Sequence, residues 1–212
     1  MIGISLLEAD LLYLAEELDQ LLLAGVNCIY IDFLSCRKTT GMVVGPKVCR
    51  SLREHGIRCP IKVLIKSGVS ESMIRSLCEA GADQVIVDSS VIRRVDMNSI
   101  STGCLGMSIT PDFLIEQLGD FLPYLEIILI QLDGSNSEDS IINYISQVKE
   151  LVSNLERDIK LGISGEFENY DLATLTNSGV EAFVFGKSIL SSGDYYTAIS
   201  VLKSQISVGL TI

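Results

Sequence analysis

Residues 61 to 88 read IKVLIKSGVSESMIRSLCEAGADQVIVD and contain a complete strand–helix–strand unit. IKVLIK from Ile61 and QVIVD from Gln84 are short runs rich in β-branched residues, as expected of strands covered on both faces. Between them, Ser70 to Ala80 carries apolar residues at helical spacing. A strand, an amphipathic helix and another strand make a βαβ crossover, which builds parallel sheet.

The same alternation extends in both directions. Further strands are read at IGISL from Ile2, CIYIDF from Cys28, CLGMSI from Cys104, EIILIQL from Glu126, IKLGIS from Ile159 and EAFVF from Glu181, which brings the number to eight. Asp10 to Ala24 reads as a helix with Leu11, Leu14, Leu18, Leu21 and Leu22 on one stripe. Pro111 to Gly119, Ser137 to Leu155 and Asp194 to Lys203 read the same way, with Pro111 suited to a first helical turn, whereas 89–102 supports only a stub. Such a series closes into a (β/α)8 TIM barrel or stays open as a doubly wound sheet. No GxGxxG follows the first strand, which favours the barrel over a dinucleotide-binding sheet. No linker or low-complexity stretch divides the chain, so one domain is expected over 1–212.

The net charge is −11 and no basic stripe is present, which argues against nucleic acid as a partner. The apolar opening carries Glu8, Asp10, Glu16, Glu17 and Asp19 without a basic leader, and so reads neither as a signal peptide nor as a membrane span. The six cysteines are scattered without a CxxC pair, as expected of reduced thiols in the cytoplasm.

A family becomes recognisable from Ser5 onward. SLLEAD at Ser5 to Asp10 resembles the S-I-L-S-A-D opening of the pentulose-phosphate (ribulose-phosphate) 3-epimerases, AGVNCIYID at Ala24 to Asp32 resembles A-G-A-D-x-I-H-x-D, and VGPKVCRSLR at Val44 to Arg53 is similar to I-G-P-x-V-x-x-x-L-R. CPIKVLI, EAGAD, GMSITP and SGVEAFVFGKSIL follow in the family's order and spacing. The resemblance implies a ribulose-phosphate-binding barrel with its site at the carboxyl ends of the strands.

Those enzymes hold a divalent metal with two His and two Asp, the carboxylates also serving as acid and base on opposite faces of the substrate. In register, the four positions fall on Tyr30, Asp32, Leu64 and Ser164, so only Asp32 keeps its type. The sole histidine, His55, ends a stretch read as an outer helix, where a solvent-exposed role is expected. No metal and no cofactor is therefore expected. The family's loops after the second and sixth strands are replaced by LSCRK and GSNSEDS.

Asp32, Lys66 and Asp88 are the candidate catalytic residues. Lys66 and Lys62 share the inward parity of Leu64, and either could replace the metal's positive charge over an enediolate. Asp88 ends its strand where the family has His and is a candidate second acid. Ser5, Ser164, Gly165, Gly186, Lys187 and Ser188 are the candidate substrate contacts, the last three matching a family G-S-A that begins a helix and favours anions. Glu166 replaces a family glycine and would repel phosphate if turned inward. Asp133 reads as a turn residue and Glu8 as part of the capping of the first helix. A phosphorylated small molecule is the expected ligand, with self-association left open. Three functions fit: an epimerase-like protein of carbohydrate-phosphate metabolism with lost or altered activity, a silent barrel that binds a metabolite or protein, and a metal-free Asp/Lys aldolase or decarboxylase.

Overall fold

A computed structural model describes residues 1–33, 45–100, 103–155, 157–167 and 169–209. The strands are β1 (Ile2–Ser5), β2 (Cys28–Phe33), β3 (Ile61–Ile65), β4 (Gln84–Asp88), β5 (Leu105–Ile109), β6 (Ile127–Asp133), β7 (Lys160–Glu166) and β8 (Ala182–Phe185). They pair in parallel in chain order and close into a TIM barrel through β1 and β8, with Gly3 opposite Cys28 on one side and Val184 on the other. Around them lie α1 (Leu14–Ala24), α2 (Pro46–His55), α3 (Glu71–Glu79), α4 (Ser89–Ile92), α5 (Glu138–Ser153), α6 (Leu172–Asn177), α7 (Lys187–Leu190) and α8 (Tyr195–Val208). Among the described residues no helix is long and apolar enough to cross a membrane.

Alternation along the strands divides the core in two. One set of side chains packs against the helices, and the other, including Cys28, Tyr30, Leu64, Ile86, Leu129 and Val184, fills the barrel. Small residues make room inside it: a Cβ at Gly3 would stand 2.5 Å from Cε2 of Tyr30. The tyrosine ring thus occupies space that only a glycine on the neighbouring strand leaves free.

Two sequence expectations differ from the structure. Pro111 to Gly119 is not an α-helix; it holds one short 3-10 turn over Ile115–Leu118. The Tyr144 hydroxyl, on α5, shares its one proton between the carbonyls of Thr110 and Phe113, each at 3.1 Å, and holds as a turn the backbone that would have started the helix. The first helix begins at Leu14 rather than Asp10, because the Asp10 carboxylate accepts from the Leu12 amide at 3.0 Å and closes a separate turn. Glu8 accordingly does not cap α1; it lies in a 3-10 turn, Leu6–Glu8, whose N-cap is Ser5.

Arg53 ties three segments at the amino ends of the strands. Its guanidinium donates to the carbonyls of Gly81, Ile57 and Cys59 and pairs with Asp83, whose carboxylate also accepts from the Ile61 amide at 2.6 Å. Removing it leaves half-buried carbonyls without donors. Arg53→Ala is expected to cost about 2–3 kcal/mol of stability, seen in urea denaturation as a lower midpoint with an unchanged slope.

Candidate active site

The parity that turns Tyr30 and Leu64 into the barrel carries Asp32 and Lys66 to its carboxyl-terminal mouth. There an open cavity of about 820 Å³ is lined by Ser5, Asp32, Lys66, Gln131, Ser164 and Lys187, among others. Asp32 is the buried charge of this group, with 9% of its side chain exposed. Its Oδ2 accepts from Ser5 Oγ at 2.8 Å, and its Oδ1 lies 3.6 Å from Lys66 Nζ. Ser5 has a second duty, since its Oγ also accepts from the Leu7 amide at 3.3 Å. The carboxylate is therefore oriented by a residue that is itself fixed by the turn after β1.

Tyr30 and Leu64 form part of the floor beneath this group. Burial raises the Tyr30 phenol well above its ordinary range, so it stays neutral. Among the described residues its hydroxyl is buried without a hydrogen-bond partner. The positions matched to metal ligands thus offer a neutral phenol, one carboxylate, a hydrocarbon and the Ser164 hydroxyl, and the carboxylate already faces an ammonium. This donor set does not fit a divalent cation, which needs three or more good ligands.

The anion-favouring residues line the same cavity. Gly165 ends up beside Gly186, Lys187 and Ser188, and Gly186 is the N-cap residue of α7. Glu166 also lines the cavity, but its carboxylate leans against the loop after β6: a Cβ at Gly134 would lie 3.0 Å from Glu166 Oε2. Asp133 closes a turn in that loop, its Oδ1 accepting from the amide and hydroxyl of Ser135 at 3.0 and 2.6 Å.

Two expected participants are not brought together with Asp32. Asp88 keeps the inward parity, yet its Oδ1 accepts from the Ser90 amide at 3.0 Å and the Ser90 hydroxyl at 2.6 Å, capping α4, while Ser108 Oγ stands 3.3 Å from its other oxygen. It does not line the cavity that holds Asp32. Lys62 lies below Tyr30, with Nζ 5.5 Å from the ring centroid and the residue 4% exposed. Burial lowers its pKa, and the groups that act on it next are Cys28, Lys160 and Asp83 near the amino ends of the strands. The mouth therefore draws on Lys66 and not Lys62.

Sequence reasoning passed over Gln131. It lines the cavity opposite Ser164 in the β6–β7 register, and among the described residues its Nε2 is buried without a hydrogen-bond partner. A polar residue at inward parity in the apolar run EIILIQL was the available signal. His55 is exposed at the end of α2, 3.4 Å from Asp19. The LSCRK loop lies outside the described residues.

Comparison with known proteins places this geometry among relatives. A profile described as the Ribulose-phosphate 3 epimerase family matches residues 1–190. The ribulose-phosphate 3-epimerase of Serratia marcescens is 25% identical, covering 92% of this chain and 97% of the relative. That of Escherichia coli (strain K12) is 23% identical, covering 98% and 96%. Among solved structures, KGPDC from Streptococcus mutans aligns with a TM-score of 0.72 at 14% identity, over 97% of this chain and 96% of that one. Orotidine 5'-phosphate decarboxylase from Pyrococcus horikoshii OT3 aligns at 0.67 with 17% identity, over 98% and 99%. These likenesses are to the fold.

Proposed function

The chain belongs to the ribulose-phosphate 3-epimerase family, and from that premise we propose that it binds a phosphorylated keto-sugar in the barrel mouth without a metal and has lost 3-epimerisation. The observation that carries this reading is Lys66 Nζ, 3.6 Å from the one surviving carboxylate, Asp32. Asp32 is the group that accepts a proton from the carbon beside the sugar carbonyl. The Lys66 ammonium offsets the charge that develops on the enediolate oxygen. Ser164, where the resemblance sets the second carboxylate, has no proton to give at that strength. The proton therefore returns from Asp32 to the face it left, and the carbon exchanges with solvent without inverting. Gly165, Gly186, Lys187 and Ser188 take the phosphate, as backbone donors and one cation suit. The same reading places the protein in the cytoplasm, where thiols such as Cys28 and Cys49 stay reduced.

The test is calorimetric titration with ribulose 5-phosphate, followed by NMR of the bound sugar in deuterium oxide. Binding is expected to weaken about tenfold in Lys187→Ala, equivalent to one lost charge-assisted contact. Deuterium is expected to enter at the carbon next to the carbonyl and to stop entering in Asp32→Asn. Failure to bind at millimolar sugar phosphate would sink the proposal, and binding without exchange would reduce it to a silent barrel. A second reading, carbon–carbon cleavage by the Asp32–Lys66 pair, is favoured by the same contact; release of carbon dioxide or an aldehyde from a keto-sugar phosphate would establish it.

A further inference from the structure

At the end of the barrel opposite the mouth, two thiols distant in sequence meet. Cys78 sits in the last turn of α3 and Cys104 immediately precedes β5. Both line one cavity of about 290 Å³, together with Ile74, Arg75, Glu79 and Ser99. Rigid elements hold them there. The Cys104 carbonyl accepts from the Val85 amide on β4 at 2.7 Å. The chain leaving Cys78 turns directly into β4 through hydrogen bonds donated by the Gly81 amide to the Cys78 carbonyl and by the Ala82 amide to that of Leu77, each at 3.0 Å.

We propose that Cys78 and Cys104 are a redox-active dithiol that a hydroperoxide closes to a disulfide. Both residues are partly exposed, so a small oxidant reaches them, whereas Cys28 and Cys49 are fully buried. The electrostatics divide the roles. Hydrogen bonding with Cys78 lowers the Cys104 thiol to about 7 against the opposing effect of burial, and Cys78 is raised in turn. Burial pushes Cys28 up to about 12 and Cys49 to about 11. Nucleophilicity follows the thiolate, so Cys104 attacks and Cys78 resolves. In the first step the Cys104 sulfur bonds to the terminal peroxide oxygen, the O–O bond breaks, and the alcohol leaves with a proton, or water when the oxidant is hydrogen peroxide. In the second, the Cys78 thiol loses its proton and bonds to the sulfenic sulfur, whose oxygen leaves as water. Two thiols and one hydroperoxide thus yield a disulfide, an alcohol and water.

The full chain, with Cys36→Ser to remove a cysteine outside the described residues, is treated with hydrogen peroxide and digested with trypsin for mass spectrometry. The expected product is a reducible cross-link between the peptides holding Cys78 and Cys104. In Cys78→Ser the oxidation stops at an oxygenated Cys104. Independently, Cys104 in the reduced chain should be alkylated at pH 7 at least about tenfold faster than Cys28 or Cys49, with a rate that climbs through roughly pH 7 as its thiolate forms. The proposal is overturned if oxidised Cys104 carries no link to Cys78 while Cys78 is present, or if Cys104 alkylates no faster than the buried thiols.

Discussion

In a coupled 3-epimerase assay the protein is expected to convert ribulose 5-phosphate at least about 10⁴-fold more slowly than an ordinary enzyme. Inversion at a carbon next to a carbonyl needs a base on one face, an acid on the other and a cation over the enediolate. On the proposed reading the mouth offers Asp32 as base and Lys66 as cation, 3.6 Å apart. The acid is missing where Ser164 stands, and that alone costs about 10²–10⁴-fold. A lysine is also a weaker substitute for a divalent metal, whose stabilisation of the oxyanion is worth several kcal/mol. Asp88 does not repair the deficit, because its carboxylate is occupied by Ser90 and stands outside the cavity. Added manganese, zinc or cobalt should restore nothing, since Leu64 and Tyr30 provide no ligand. An ordinary rate that disappears in Asp32→Asn would refute this account and establish two-faced catalysis without a metal.

Gly165→Ala is expected to lower stability by about 3 kcal/mol, from left-handed strain and overpacking together. Gly165 has φ +98°, and a Cβ there would lie 2.0 Å from the Leu132 carbonyl oxygen on the adjacent strand. Leu132 and Gly165 are register partners in β6 and β7, so neither backbone can withdraw without opening that ladder. For a chain of this length the melting temperature should fall by roughly 6–12 °C. Gly45→Ala is the control: its backbone is extended, with φ −110° and ψ −172°, and nothing lies within 4 Å of the added methyl. A loss below about 1 kcal/mol in Gly165→Ala, no greater than an ordinary substitution, would show that the strands yield at this point and that the glycine is not needed for the backbone.

Much of the fold and part of the candidate site were legible in the sequence. Strands covered on both faces must be apolar along their length, so CIYIDF, QVIVD and EIILIQL announce themselves, and parity sends Tyr30 and Asp32 to the same side. Pairing of β1 with β2 then sets Ser5 beside Asp32, because Ser5 stands opposite Tyr30 in that register. What the sequence by itself determined is therefore the strand–helix alternation and the inward set of side chains, which depend on local periodicity and residue chemistry. The departure of Tyr30, Leu64 and Ser164 from the family's ligand types is what the resemblance implies. Tertiary structure alone decided how inward residues are used. Parity cannot say that Lys62 remains under the Tyr30 ring while Lys66 reaches the mouth, that Ser90 claims Asp88, or that Tyr144 holds residues 110–113 out of a helix. Nor can it bring Cys78 against Cys104, because that meeting depends on the approach of a helix end to a strand start across the closed sheet. Each of these outcomes is a contact between segments brought together by the fold, and its energy exists only once the barrel has closed around them.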